Sequence, residues 1–171
     1  QLLNETAIFD TMFPCCTINP FDMLTLWFSD ERTDFTVVMM KPDGVEKELT
    51  DDVIRHLTAE GLMLVLRKRT TLNPHDVIQM YPDIRNEWLI PKIVSHLTSG
   101  PSDILLFVGK NAIPKAREFV GTTTLGNREP SGLRGRYADD FIRNIAHSPT
   151  DITELKTTLS AILPYLPTTL I

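Results

Sequence analysis

Cysteine is nearly absent. The chain has two, Cys15 and Cys16, and they are adjacent. Neighbouring cysteines neither close a loop nor supply a tetrahedral metal site, which excludes a disulfide framework and a zinc ribbon and leaves a reducing, cytoplasmic compartment as the expectation. Also missing is any apolar run near the roughly 20 residues of a membrane span, so no membrane partner is expected. Residues 1 to 30 lack the basic start and cleavage pattern of a signal peptide. There is no basic excess: 17 Lys and Arg against 22 Asp and Glu leave a net charge of −5. A general nucleic-acid surface needs the opposite sign. Gln1 stands where a methionine would open a complete chain, so the sequence reads as part of a longer polypeptide.

What is present is ordinary globular material. The chain has 171 residues, 42% of them apolar and 23% charged, enough for one domain that buries about 70% of its unfolded surface. Residues 1–33 stand apart as an N-terminal extension. Phe9, Phe13, Phe21, Trp27 and Phe28 are broken there by Pro14 and Pro20, too apolar for a free tail, so the extension is expected to pack on the domain or a partner, with a short helix over 21–28.

The domain itself is assigned to 34–171. Phe35 to Met40 is a short apolar, partly β-branched run before Lys41-Pro42-Asp43-Gly44, which predicts a buried strand and a sharp turn. Thr50, Asp51 and Asp52 start a helix over 50–60 that Gly61 ends. Residues 62–70 form a second strand. Pro74 leads a short helix to Met80, Tyr81 follows in a Tyr-Pro turn, and 86–98 is helical around Pro91 until Ser99-Gly100-Pro101. Then come a strand over 103–108, a helix over 112–120, a loop over 121–135, a short strand over 144–147 and a helix over 151–163. This order fits a ferredoxin-like βαββαβ fold of the α/β (α+β) class, a four-stranded antiparallel sheet with helices packed on one face.

The chemistry concentrates between 117 and 147. Arg117, Arg128, Arg134, Arg136 and Arg143 share this stretch with three threonines at 122–124 and with His147. Guanidinium groups bind phosphate or carboxylate through two parallel bonds, and threonine hydroxyls add donors to the same oxygens, so the pattern suggests an anion pocket. Taken singly, each arginine is as readily a surface residue paired with an acid. A histidine beside such a pocket can act as a nucleophile near pH 7 and carry a transferred group. His56, His75 and His96 sit on predicted helices with no anion machinery near them, and are expected at the surface or its boundary.

Lys41-Pro42-Asp43-Gly44-Val45, Ser99-Gly100-Pro101, Leu133-Arg134-Gly135 and Arg143-Asn144-Ile145-Ala146-His147 together resemble the nucleoside diphosphate kinases. The likeness is collinear, with no gap between Asn111 and His147, and spans about residues 32 to 163. It implies a magnesium-dependent ping-pong exchange of a terminal phosphoryl group between nucleoside triphosphates and diphosphates. By the same resemblance His147 is the nucleophile and phosphoryl carrier. Lys41, Asn144 and Tyr81 serve the ribose and the transferred group, and Arg117, Thr123 and Arg134 hold the trailing phosphates. Leu89 and Phe141 flank the base, and Asp83 orders the site. Magnesium is carried by the phosphates without a protein cage. A homo-oligomer, or a place within a larger polypeptide, is expected as well.

The chain also departs from the family pattern. Pro149 stands where the family has a serine, with Ser148 one residue too early to replace it; Thr158 stands where a glutamate normally supports the imidazole, and Leu89 where an aromatic stacks on the base. Glu87 occupies a position that is often basic, and 124–131 lacks the usual Asn-Pro or Asp-Pro step. These changes are compatible with reduced activity, or with a nucleotide-binding or assembly domain that has lost efficient chemistry.

Overall fold

The computed structural model describes residues 34–82, 84, 86–122 and 131–167. In chain order these form β1 (Asp34–Met40), α1 (Pro42–Glu46), α2 (Thr50–Ala59), β2 (Met63–Thr70), α3 (Pro74–Met80), α4 (Leu89–Leu97), β3 (Ser102–Gly109), α5 (Ala112–Val120), α6 (Gly132–Tyr137), β4 (Ala146–His147) and α7 (Ile152–Ile162), followed by a 3-10 turn at Leu163–Tyr165. The helix expected over 21–28 lies outside the described residues, as do Asp83 and Thr123.

The four strands lie in the order β2-β3-β1-β4, and every neighbouring pair is antiparallel. That is the ferredoxin-like arrangement. Successive side chains of β1 point to opposite faces: Val37 and Met39 join Ile104, Leu106, Val77, Leu97 and Leu155 in one cluster, while Val38 and Met40 join Leu105, Phe107, Val53, Leu57, Ala116 and Val120 in another. Helices therefore cover both faces rather than one, with α2, α5 and α6 on one side and α3, α4 and α7 on the other. The reason is visible in β1 and β3, which are apolar at consecutive positions; strands buried on both faces carry that pattern instead of alternation.

Two connections differ from expectation. The turn after β1 is a short helix, α1, started by Pro42 in its first turn. The long loop is also shorter than its composition suggested, because α6 begins at Gly132 and buries Leu133 against the α5 face. Gly121 and Gly132 adopt positive φ of 85° and 65°, and they lie so close that a β-carbon on Gly121 would overlap the Ser131 carbonyl and one on Gly132 the Phe119 carbonyl. Glycine is required at both.

Candidate active site

Antiparallel pairing of Met39 with His147 and of Met40 with Ala146 sets β4 against the end of β1, where the chain leaves the sheet at Lys41. His147 is 5% exposed. α7 covers it because Asp151 caps that helix, accepting from the backbone N–H groups of Thr153 and Glu154. Glu154 and Thr158, one turn apart, then share the helix face above the imidazole. The Thr158 hydroxyl lies 2.9 Å from Nε2 of His147, and the Glu154 carboxylate 4.0 Å from the same atom. Tyr81, at the end of α3, meets the imidazole edge to face, with ring centroids 5.7 Å apart at 74°.

The basic side chains come from the link between β1 and α1, from α6 and from α5. Lys41 is 6% exposed and donates to Oδ1 of Asn144 at 2.5 Å and to the Ile142 carbonyl at 3.2 Å. Arg134, on α6, is also 6% exposed and donates to the carbonyls of Asn144, Gly121 and Ala146 at 3.3, 3.0 and 2.6 Å. It therefore braces the backbone on either side of Ile145. Arg117, on α5, donates to the Ser148 carbonyl at 3.2 Å. Of the other described arginines in this stretch, Arg143 pairs at the surface with Asp139 and Glu46, and Arg136 is exposed.

Burial and these cations set the protonation states. Burial, then Lys41, Arg134 and Arg117, push His147 down to about 3, so its imidazole is neutral at pH 7. When Nε2–H donates to Thr158, Nδ1 keeps its lone pair; among the described residues Nδ1 has no hydrogen-bond partner. Burial and the Arg134 charge lower Lys41 to about 7. Burial and the Arg117 charge lower Arg134 to about 10, and burial raises the Tyr81 hydroxyl. The pocket thus joins a neutral nitrogen base to two guanidinium groups and a lysine amine that gains its charge beside an anion, an arrangement suited to accepting a phosphoryl group.

An open groove of about 410 Å³ adjoins the site, lined by Asn86, Trp88, Leu89, Lys92, Asp140, Phe141 and Ile142. Leu89 and Phe141 share it. Its wall is tied to the pocket: Ile142 accepts from Lys41, and Phe141 accepts from the Asn144 amide at 2.9 Å. Trp88, on the same groove, is 82% exposed.

Three features escaped the sequence reading. Thr158 is more than a departure from a family pattern, since its hydroxyl holds the imidazole. Glu154 was overlooked, although its position four residues before Thr158 on a helix was a usable signal. His96 is not a surface residue: it is 8% exposed and bonds Asp43 at 2.8 Å. Burial raises the Asp43 carboxyl, but the hydrogen bonds from His96 and from the Ile145 N–H outweigh it and hold the group below its ordinary range. Nothing in a lone helical histidine announces a partner 53 residues away. The Ser148 hydroxyl is buried and without a partner among the described residues.

Comparison with known proteins points to one family. A family model described as nucleoside diphosphate kinase matches residues 34–165. The nucleoside diphosphate kinase of Cyanothece sp. is 35% identical over 112 residues, covering 66% of this chain and 75% of that protein. That of Methanoculleus marisnigri is 32% identical over 115 residues, covering 67% and 77%. Among solved structures, the Aquifex aeolicus nucleoside diphosphate kinase superposes with a TM-score of 0.66 at 21% identity, covering 76% of this chain and 94% of that one; at that identity it speaks for the fold.

Proposed function

The chain belongs to the nucleoside diphosphate kinase family, and we propose that it moves the terminal phosphoryl group of a nucleoside triphosphate to a nucleoside diphosphate through a phosphohistidine at His147. The observation that carries this reading is a buried, neutral imidazole with its Nε2 on Thr158 and with Lys41, Arg117 and Arg134 gathered about it. Nδ1 attacks the terminal phosphorus; the P–N bond forms as the P–O bond to the bridging oxygen breaks, and the diphosphate leaves with both bonding electrons. A second diphosphate reverses the step, its terminal oxygen attacking phosphorus and returning the electron pair to Nδ1.

In this reading Arg117, Arg134 and Thr123 hold the trailing phosphates, the two guanidinium groups by charge and the threonine by its hydroxyl. Lys41 and Tyr81 serve the transferred group, Asn144 and Lys41 the ribose, and Leu89 and Phe141 flank the base, with Asp83 ordering the site. The donors around the pocket are amino, guanidinium and hydroxyl groups, which suit phosphates already carrying Mg2+ rather than a bare ion. Mg2+ bound there would neutralise charge on the phosphate oxygens. Residues 34–171 are the catalytic unit and 1–33 an extension to it, acting in the cytoplasm within a homo-oligomer or a larger polypeptide; light scattering of the full chain tests the assembly.

Terminally labelled ATP provides the test of the chemistry. Label should enter the protein, leave in acid, and be lost in His147→Ala; label retained by that variant removes the proposed role. One observation favours a weaker enzyme: the nearest described carboxylate, Glu154, is 4.0 Å from the imidazole, beyond a hydrogen bond, so the ring has little help in gaining basicity. Nucleotide binding without label transfer would select that second reading, a nucleotide-binding or assembly domain.

A further inference from the structure

Ile145 has a φ of 77°, a left-handed conformation that a β-branched residue holds only where its surroundings impose it. It separates Asn144, which engages Lys41, from Ala146 and His147. Both of its hydrogen-bonding groups are held by the segment after β1. Its N–H donates to Oδ2 of Asp43 at 2.8 Å, and its carbonyl accepts from the Lys41 N–H at 2.8 Å. A β-carbon on Gly44 would overlap that same carbonyl oxygen, so the contact is as close as backbone permits.

Asp43 has a second oxygen, and it belongs to His96. Asp43 is 1% exposed, and its Oδ1 lies 2.8 Å from Nε2 of His96 in the last turn of α4. The low carboxyl range of Asp43 makes it an acceptor only, so Nε2 carries the proton and donates. We infer that His96 is a positioning residue for His147: acting through Asp43, it fixes the left-handed Ile145 peptide and so sets the imidazole against the Lys41–Asn144 pair. Without the donor, the buried carboxylate keeps one partner of two and can turn, and Ile145 can relax toward an extended φ. β4 is two residues long and held by two pairings, too short to absorb that rotation, so the imidazole moves with it. In-line transfer tolerates little of this, since a displacement of about 1 Å can cost about 100-fold in rate.

The inference rests on the phosphohistidine reading, and its test separates the two. His96→Phe keeps a ring and removes the donor, whereas His96→Gln can return an N–H to Asp43. Amide exchange of Ile145, followed by NMR on the full chain, should accelerate about tenfold in His96→Phe and stay within about threefold of wild type in His96→Gln, as loss of one charge-assisted bond implies. The rate of label transfer from ATP to His147 should fall about 10- to 100-fold in His96→Phe and recover in His96→Gln, while nucleotide affinity moves less than about threefold in both. If His96→Phe does not fold, His96→Met takes its place. An unaltered Ile145 amide, an unaltered transfer rate, equal losses in the Phe and Gln variants, or a matching loss of nucleotide affinity each overturn the inference. A wild type that takes no label defeats the phosphohistidine reading instead, and the exchange measurement then decides the role of His96 alone.

Discussion

Lys41 should take up a proton when a nucleotide binds. Its side chain is buried, and burial with the neighbouring Arg134 lowers it from 10.5 to about 7. At pH 8 the free protein then holds the Lys41 proton in only about a tenth of molecules. A polyphosphate beside the amine favours the charged form and returns the value toward its ordinary range. Binding at pH 8 should therefore draw about 0.9 proton from solution. Nothing else described in the site competes at that pH: His147 lies at about 3 and Arg134 at about 10, Tyr81 is raised, and a phosphate that gives up its last proton near pH 6 has lost nearly all of it by pH 8. Calorimetric titration with a nucleoside diphosphate, in buffers of different ionisation enthalpy, reads the uptake directly. Lys41→Met should abolish it. The same shift has a consequence for the free protein: the unfolded chain keeps this proton up to 10.5 while the folded chain releases it near 7, so Lys41 makes stability rise with pH across that window. Uptake below about 0.3 proton, or uptake equal in wild type and Lys41→Met, would refute the reasoning.

Thr158→Val should leave Nε2–H of His147 buried without an acceptor, lowering stability by about 1–3 kcal/mol in urea titration and slowing His147 labelling, with Thr158→Ser restoring both. Arg134→Met should cost about 2–4 kcal/mol by the same titration, because the carbonyls of Gly121 and Ala146 lose the Arg134 donor and that of Asn144 keeps only the Ala146 N–H; Arg134→Lys should recover little, as one ammonium cannot reproduce the spread of a guanidinium. Phe141→Ala should weaken nucleoside diphosphate binding by about 1–3 kcal/mol while leaving inorganic diphosphate unaffected. In a Trp27→Phe background, Trp88 fluorescence should report the first ligand and not the second.

The fold was legible where local chemistry and tertiary packing agree. Thr50 with its two aspartates, Pro74, and the apolar runs of β1 and β3 carry their own signals, and those elements start and stop within a residue of expectation, whereas the helix expected from 86 begins at Leu89. α1 and α6 were less visible. Pro42-Asp43-Gly44 and Gly132-Leu133-Arg134 read as turn chemistry, and only tertiary contacts, Gly44 against Ile145 and Leu133 in the core, make helical turns of them. Lys41, Tyr81, Arg117, Arg134, Asn144 and His147 could be named because their residue types suit an anion and their motifs resemble a family. The Asp43–His96 contact could not, since it depends on which helix faces pack together; Thr158 was placed at the imidazole by the resemblance alone, without its hydroxyl bond. Thr123 and Asp83 lie outside the described residues.

The glycine pair at 121 and 132 bears on how the pocket can be broken. The close approach of the two backbones and the Arg134 bond to the Gly121 carbonyl together clasp the end of α5 to the start of α6. A single methyl group added at either glycine should prise that clasp open and carry Arg117 and Arg134 apart.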